Sequence, residues 1–589
     1  MNSPRLLFLP LFLSLSLDLY AETYGPISVQ EIQLAENRAD ATSHGYVEYR
    51  FRVTNRDSKQ HHVALRLSKA RGFGYAGPSL VQTTNAVTVP PNTSVIVPLL
   101  QPVVKMVDNA GVSVTIDGRL QREPTQFSPA FAHLSLRHKS SDTVNAFVSQ
   151  KVPVTDIRDK ISRQTGSEDI NCWSANAPVS EWSENWLAYT RFDGVLLTSD
   201  EWRNLQDQSP GILKALRKYT EAGGCLCIVG YDWTPPKEWT PIDNAKGKYS
   251  AGFGEVRVVP DSPHEAAPYI DPLRELLFEQ AKPWGSAISS SHEATGSMSG
   301  IETMLVALPV IKSYGTPVKM IMVLIVVFAV FIGPVNIYVL ELMKRRIWLL
   351  WTVPVTSLVF SAFVLGINVV QEGFLWQSSS KTTTILDQRT GEATTVGHIG
   401  FYSTLTPRGG IMFDADTEVT ACFERDTYGP TRSLEFDIVG GGRQQFSRGW
   451  IGARTPSYFA IRKAQSQRKE RIEFNWNTSP PTASNGLGVD IKVLQVCSPD
   501  GKTYEINNLE AGQQMPLTAK LFESKKEPEK ELRNFFLRTI RDGPTPGLSA
   551  KMLTNGTYLA QIDTWNPFVE CGIEGMKSYK NSTTVYGAF

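Results

Sequence analysis

Ile321-Met-Val-Leu-Ile-Val-Val-Phe-Ala-Val-Phe-Ile-Gly-Pro-Val-Asn-Ile-Tyr-Val-Leu340 contains no charged side chain. Neither does Ile347-Trp-Leu-Leu-Trp-Thr-Val-Pro-Val-Thr-Ser-Leu-Val-Phe-Ser-Ala-Phe-Val-Leu-Gly-Ile-Asn-Val-Val370. At about 1.5 Å rise per residue, either run is long enough to cross a hydrocarbon layer of about 30 Å. Lys344, Arg345 and Arg346 stand between them. A short cationic turn between two spans belongs on the cytoplasmic side. Trp348 and Trp351 follow the turn and Trp376 follows the second run, where indole rings favour the membrane interface. These features predict transmembrane helices over 318–342 and 347–371. Pro334 removes a backbone donor and kinks the first helix. Asn336 is polar in a costly place, so it is expected to face the second helix and bond across to it.

Working outward, residues 1–21 read as a secretory signal. Arg5 precedes the apolar run Leu6 to Leu17, and Ala21 offers a small residue at the cut. An exported start followed by two spans puts both large flanks on the same, extracytoplasmic side of a plasma (inner) membrane. The composition agrees with a folded, multidomain chain. It has 589 residues, 41% of them hydrophobic and 20% charged, which excludes wholesale disorder. Lys plus Arg is 59 against 58 for Asp plus Glu, so no basic excess points to nucleic acid. Six Cys are too sparse for a disulfide scaffold, although an oxidising exterior permits one bridge within each half.

Residues 22–140 carry short alternating runs. In Gly45-Tyr-Val-Glu-Tyr-Arg-Phe-Arg-Val53, the apolar Val47, Tyr49, Phe51 and Val53 alternate with Glu48, Arg50 and Arg52. Period two with one apolar face is a half-buried strand. His62–Leu67, Val87–Val97 around a Pro-Pro turn, Val112–Ile116 and Ala132–Leu136 continue the series, which predicts a β-sandwich. His61 and His62 point to opposite faces and are expected to be solvated.

Residues 145–300 change rhythm. Phe192-Asp-Gly-Val-Leu-Leu-Thr198 is a strand-like run closed by Ser199-Asp200. Ser209-Pro210 opens a helix with Ile212, Leu213, Leu216 and Tyr219 on one face, and Gly223-Gly224 stops it. Cys225-Leu-Cys-Ile-Val-Gly230 then suits a strand buried on both faces. Strand, helix, strand is the unit of a parallel sheet. Phe253–Val259 adds a strand and Pro272–Gln280 a helix. Parallel sheets place ligands beyond their C-terminal strand ends. The residues there are Ser199, Asp200, Asp232 and Trp233, candidates for lining a small polar pocket. The plainer expectation is that they are loop residues, with Asp200 capping the helix that follows.

Residues 380–589 read as β-rich, with Arg471-Ile-Glu-Phe-Asn-Trp476 alternating cleanly. One amphipathic helix, Glu529–Arg541, places Leu532, Phe535, Phe536 and Ile540 on one face, expected to pack on the region's own sheet.

The stretch from Phe192 to Gly230 resembles the class I glutamine amidotransferase-like fold, a doubly wound α/β sheet. In active members the nucleophile is a Cys on the sharp turn after such a strand, and His and Glu two residues apart supply the base. Here Cys225 and Cys227 lie within the strand, while His264-Glu265 and His292-Glu293 are adjacent pairs. The resemblance therefore implies the fold without the catalytic set. Gly333-Pro-Val-Asn336, Gly449-Trp450, Arg454-Thr-Pro456 and Asn485-Gly-Leu-Gly488 extend the likeness to bacterial membrane proteins of related build. These join an immunoglobulin-like domain, an amidotransferase-like domain, a two-helix hairpin and an outer β-domain. The expected fold class is thus a multidomain α+β membrane protein: β-sandwich, doubly wound α/β domain, two transmembrane helices, then a β-rich domain. The expected function is a membrane-anchored binding or scaffold protein, with the lipid bilayer and a protein at the membrane as partners. An accessory subunit of an envelope or export complex is a variant of that reading. The alternative is a cysteine-dependent hydrolase or amidotransferase. No cofactor and no metal ligand set is expected.

Overall fold

The computed structural model describes residues 21–32, 44–69, 79–102, 110–123, 144–152, 170–230, 232–243, 247–259, 275–276, 300–310, 318–344, 346–372, 376–406, 409–422, 433–439, 442–522, 528–544, 547–571 and 577–589. The expected signal segment, strand Ala132–Leu136 and both His-Glu pairs lie outside these, as does nearly all of the helix expected over Pro272–Gln280. The fold is mostly β-sheet in several sheets.

Strand Tyr46–Asn55 buries Val47, Tyr49, Phe51 and Val53, as its alternation requires. It pairs antiparallel with Ile27–Ile32 and Ser94–Pro102. A second sheet, His61–Lys69 with Ser79–Val89 and Ala110–Ile116, faces it across a core that includes Val29, Phe51, Leu65, Leu99 and Val114. The two sheets pack face to face as a β-sandwich over that core. Asn55 closes the Pro-Pro turn, its Nδ2 donating to the carbonyls of Lys59 at 2.7 Å, Pro90 at 3.0 Å and Val89 at 3.1 Å. His61 is not simply solvated. Its ring nitrogens meet Asp57 at 3.0 Å and Asp117 at 2.7 Å, and the Asp117 bond raises its pKa first.

The middle region holds five parallel strands in the order Ile170–Ser174, Val144–Val148, Gly194–Thr198, Cys225–Val229, Gly254–Val259. An antiparallel pair, Lys248–Ala251 and Thr240–Asp243, finishes the sheet. The parallel strands run 2-1-3-4-5 in chain order, so the strand order changes direction between the first and third. Helix α2 (Pro210–Glu221) is the one expected from Ser209-Pro210, and a separate helix α1 (Ser199–Gln208), whose bounds the sequence reading leaves open, precedes it. Gly254 permits the close approach of α2, because a Cβ there would lie 1.9 Å from the Thr220 carbonyl oxygen.

After α3 (Gly300–Ala307) come two apolar helices. The first, α4, runs Val318–Val330, passes through a π-helical turn at Phe331–Val335 around Pro334, and continues as Asn336–Leu342. The second, α5, is Leu349–Glu372. Asn336 Nδ2 donates to Thr352 Oγ1 at 3.0 Å, the expected bond across the hairpin. Phe328 and Phe360 meet at 4.8 Å. Met322–Leu342 is long and apolar enough to cross a membrane, and almost none of it is buried. In α5 the described apolar stretch, Leu349–Val364, falls short of that length. Two transmembrane helices are therefore not shown where the sequence predicts two.

Residues 377–588 build a nine-stranded sheet around Gln377–Asp387, which pairs with Glu392–Tyr402 on one side and Lys577–Ala588 on the other. The regions before and after the hairpin do not fold separately. Strand Ser433–Val439 pairs in parallel with Ser79–Val89 of the sandwich, so one seven-stranded sheet draws on both flanks. Tyr46, Phe147, Leu197, Phe401 and Phe436 belong to one continuous core. Buried polar groups tie the same seam. The Tyr46 hydroxyl donates to Gln444 at 2.8 Å and accepts from the Val419 amide at 3.2 Å. Within the N-terminal flank, His44 of the sandwich meets Asp193 of the α/β region at 3.1 Å with both side chains buried.

Arg217 on α2 gathers three carboxylates: Glu238 at 3.2 Å, Glu392 of the C-terminal sheet at 3.6 Å and Glu221 at 3.7 Å. Burial, and then the charge of Glu392, pushes Glu221 up to about 8. The folded carboxyl then keeps its proton over a range where the unfolded one, near 4.5, has lost it. Stability contributed by this group is present below pH 4.5 and lost as pH rises to about 8. Glu221→Gln should therefore match the parent near pH 4 and exceed it at pH 8–9 in thermal unfolding. A constant difference across that range would refute the assignment.

Candidate functional site

The C-terminal ends of the parallel strands are where the fold can present a ligand site. Four residues were expected there, and the structure sends their side chains three ways. Ser199 is the first residue of α1 and is buried. Its hydroxyl fills the space above Gly230, where a Cβ would lie 2.4 Å away and where φ is +116°. Only glycine tolerates both constraints.

Asp200 does not cap α1. Thr198 does, its Oγ1 accepting from the Glu201 amide at 3.2 Å while Glu201 accepts from the Thr198 amide at 2.9 Å. This is a capping box, and a Thr-x-x-Glu spacing was its readable signal. The Asp200 carboxylate instead pairs with Arg203 one turn on, at 3.3 Å. Arg203 also reaches Asp232, through both its carboxylate and its carbonyl. One exposed guanidinium thus holds two exposed acids and fastens the loop after Cys225–Val229 onto α1. Surface pairs of this kind contribute about 0–1 kcal/mol.

Trp233 leaves the strand ends altogether. It sits half-buried in a cluster with Trp202 at 6.0 Å, Trp239 at 6.1 Å and Tyr249 at 5.4 Å. Trp239 Nε1 donates to Glu221 at 3.2 Å, so this cluster adjoins the Arg217 contact. The four residues therefore do not line one pocket. Ser149, at the point where the winding reverses, was not singled out from sequence. It is fully buried, and its hydroxyl has no hydrogen-bond partner among the described residues. A serine at the end of an apolar strand gives no local signal of that.

The two strand cysteines lie where the sequence places them, inside Cys225–Val229 and buried. Burial pushes the Cys225 thiol up to about 11, even though Arg533 donates to its Sγ at 3.3 Å. Burial pushes Cys227 up to about 12. Arg257, the cation whose charge acts on Cys227, is engaged by Glu275 at 2.9 Å and Glu255 at 3.5 Å. A nucleophilic thiol needs the opposite environment, partly exposed and electropositive. All six cysteines are free thiols, so neither half carries the bridge that an oxidising exterior permits. Among the described residues no group of three or more His, Cys, Asp or Glu side chains is arranged to hold a metal ion.

No family model matches this chain, and no curated protein matches it. Among solved structures, a Paenibacillus sp. cycloisomaltooligosaccharide glucanotransferase complexed with cycloisomaltoheptaose is 12% identical over 34% of this chain and 27% of its own, with a TM-score of 0.14. The exo-β-D-glucosaminidase CsxA is 9% identical over 93% and 79%, with a TM-score of 0.15. A β-glucosidase from Kluyveromyces marxianus in complex with glucose is 7% identical over 80% and 46%, with a TM-score of 0.09. The chain thus spans about a quarter of the first of these, and likeness at such scores carries no argument about fold or substrate.

Proposed function

We propose that this protein is a membrane-anchored scaffold. One extracytoplasmic body, assembled from both flanks of the chain, stands on a two-helix transmembrane hairpin and serves as a binding surface for a protein partner. The observation that carries the reading is the pairing of Ser79–Val89 with Ser433–Val439. Strands of one sheet occupy one compartment. If 318–372 enters a bilayer, it must therefore cross it an even number of times. A second contact supports the same hairpin. Ser379 Oγ donates to the Pro309 carbonyl at 2.6 Å, so the chain entering the helices and the chain leaving them meet at one end of one sheet. The apolar, exposed side chains of α4 and α5 suit lipid. The burial of Cys225 and Cys227 favours this reading over the cysteine-dependent alternative.

Single cysteines at Ser58, Lys344 and Asp500, all exposed, test it in sealed spheroplasts with a membrane-impermeant maleimide. Ser58→Cys and Asp500→Cys should label from outside, and Lys344→Cys only after lysis. Labelling of Lys344→Cys from outside overturns the crossing. A thiol-reactive probe on native, unreduced protein should spare Cys225 and Cys227 for hours and modify them once the chain is unfolded. Rapid native labelling of either would favour the enzyme.

A further inference from the structure

We infer that the foot of the outer body rests in the lipid interface through Val306 and Leu405, so that the nine-stranded sheet stands upright on the bilayer. This rests on the hairpin reading above.

The geometry begins with chain length. Glu372 ends α5 and Gln377 begins the central strand. At ~3.3–3.6 Å per residue the five steps between them span at most about 18 Å. The Gln377 end of the sheet is therefore the end nearest the helices. Register then identifies what else lies there. Gln377 stands opposite Tyr402 and Lys577, and Phe401 stands opposite Ser457. Three residues beyond Tyr402, Leu405 is held in a tight turn, its amide donating to Ser403 Oγ at 3.3 Å and its carbonyl accepting from the same hydroxyl at 2.7 Å. On the entering side, Met304, Leu308 and Val310 pack with Tyr402 and Tyr458. Helix α3 is thereby fastened to the same sheet end with Val306 turned outward.

Both side chains are conspicuous. Val306 is 75% exposed and Leu405 65%, and among described large apolar residues outside the hairpin only Leu521 is more exposed. Leu521 lies at the other end. Lys520 bonds to Thr503, Thr503 stands opposite Cys497, Cys497 opposite Thr557, and Thr557 opposite Ala588. Ala588 faces Asp387, the far end of the central strand. At ~3.3 Å per residue that end is about 33 Å from Gln377.

Two single apolar side chains do not make a protein interface, which needs about 800 Å² per partner with shape complementarity. A lipid interface accepts isolated apolar groups without any fitted surface, provided they lie at its depth. Their position at the helix feet supplies that depth. The consequence is orientation. The edges around Thr503 and Ala588 face away from the bilayer, which leaves them and the flanks of the body for the partner.

The test uses the full chain in nanodiscs of phosphatidylcholine and phosphatidylglycerol. The photoreactive residue p-benzoylphenylalanine replaces Val306, Leu405, Ile337 or Leu521 in turn, and lipid adducts are read by mass spectrometry. Ile337, exposed in α4, reports whether the hairpin is in lipid at all. Adducts at 306 and 405 should exceed those at 521 at least tenfold. Adducts at 337 with either 306 or 405 no higher than 521 overturn the inference and leave the hairpin standing. No adducts at 337 overturn the hairpin reading and the inference with it.

Discussion

Replacing Arg462 with methionine should destabilise the body by about 3–5 kcal/mol, because it strands a buried carboxylate. Arg462 and Glu418 form an ion pair in which both side chains are almost fully buried. The pair sits on neighbouring strands of the C-terminal sheet, where Glu418 stands opposite Arg462. Its reach is longer than that. Arg462 Nη1 also donates to the Ala222 carbonyl at 3.3 Å, at the end of α2. The guanidinium therefore satisfies a helix C-terminus of the α/β region as well as its own carboxylate, and favours the negative end of the helix dipole. Arg462→Met removes all of this while Glu418 remains. The double variant Arg462→Met with Glu418→Gln should recover much of the loss, since no charge is then left without a partner. Urea unfolding of the parent, Arg462→Met, Glu418→Gln and the double variant measures it. A single variant within about 0.5 kcal/mol of the parent, on the scale of an ordinary surface substitution, would show that the pair is not buried in solution.

Phe536→Ala should cost a similar amount, about 3–5 kcal/mol, as expected for emptying an aromatic site in a packed core. Phe536 lies on the helix Pro528–Asp542, here α6, and is fully buried. It stacks on Phe253 of the middle region at 5.6 Å. It also occupies the place where any Cβ on Gly223 would stand, 2.0 Å from its ring. Next to it, Arg533 donates to the carbonyls of Gly223 at 2.9 Å and Phe253 at 2.6 Å. The loss should therefore include loosening of α6 from the α/β sheet. Limited proteolysis should find cleavage in or beside α6 at protease levels that leave the parent intact. Leu521→Ser, at an exposed site, should change neither stability nor cleavage. An unaltered midpoint in Phe536→Ala would remove the argument that this helix joins the two regions.

That helix shows how far sequence reaches. Leu532, Phe535 and Phe536 announce an apolar face at helical spacing, and the face is buried. The expectation that it packs on its own sheet is half of the outcome. Its core includes Val396 and Leu559 of the C-terminal sheet, but also Phe253. Amphipathicity states that a face is covered and is silent on what covers it. The strand ends behave in the same way. The Thr198-x-x-Glu201 box follows a local spacing rule that the sequence carries, although Asp200 was the cap expected from it. The engagement of Asp200 and Asp232 by Arg203 was not legible, because Arg203 and Asp232 are 29 residues apart and meet only after a strand, a helix and a turn have folded back. Trp233 followed the same logic, drawn away from the strand ends by three other aromatic rings. The bond from Asn336 to Thr352 was readable because a hairpin leaves a costly polar group in an apolar helix only one close neighbour.

From its sequence alone the chain fixed its local order: where apolar helices run without charge, where period two makes strands, and where strand, helix and strand alternate. These are properties of neighbouring residues, set by sterics and by which face must leave water. What tertiary structure decided is which faces meet. Ser79–Val89 joins Ser433–Val439, and Arg462 reaches Ala222, because long-range pairing is chosen by the total burial and hydrogen bonding of the assembled body, a quantity no single segment carries.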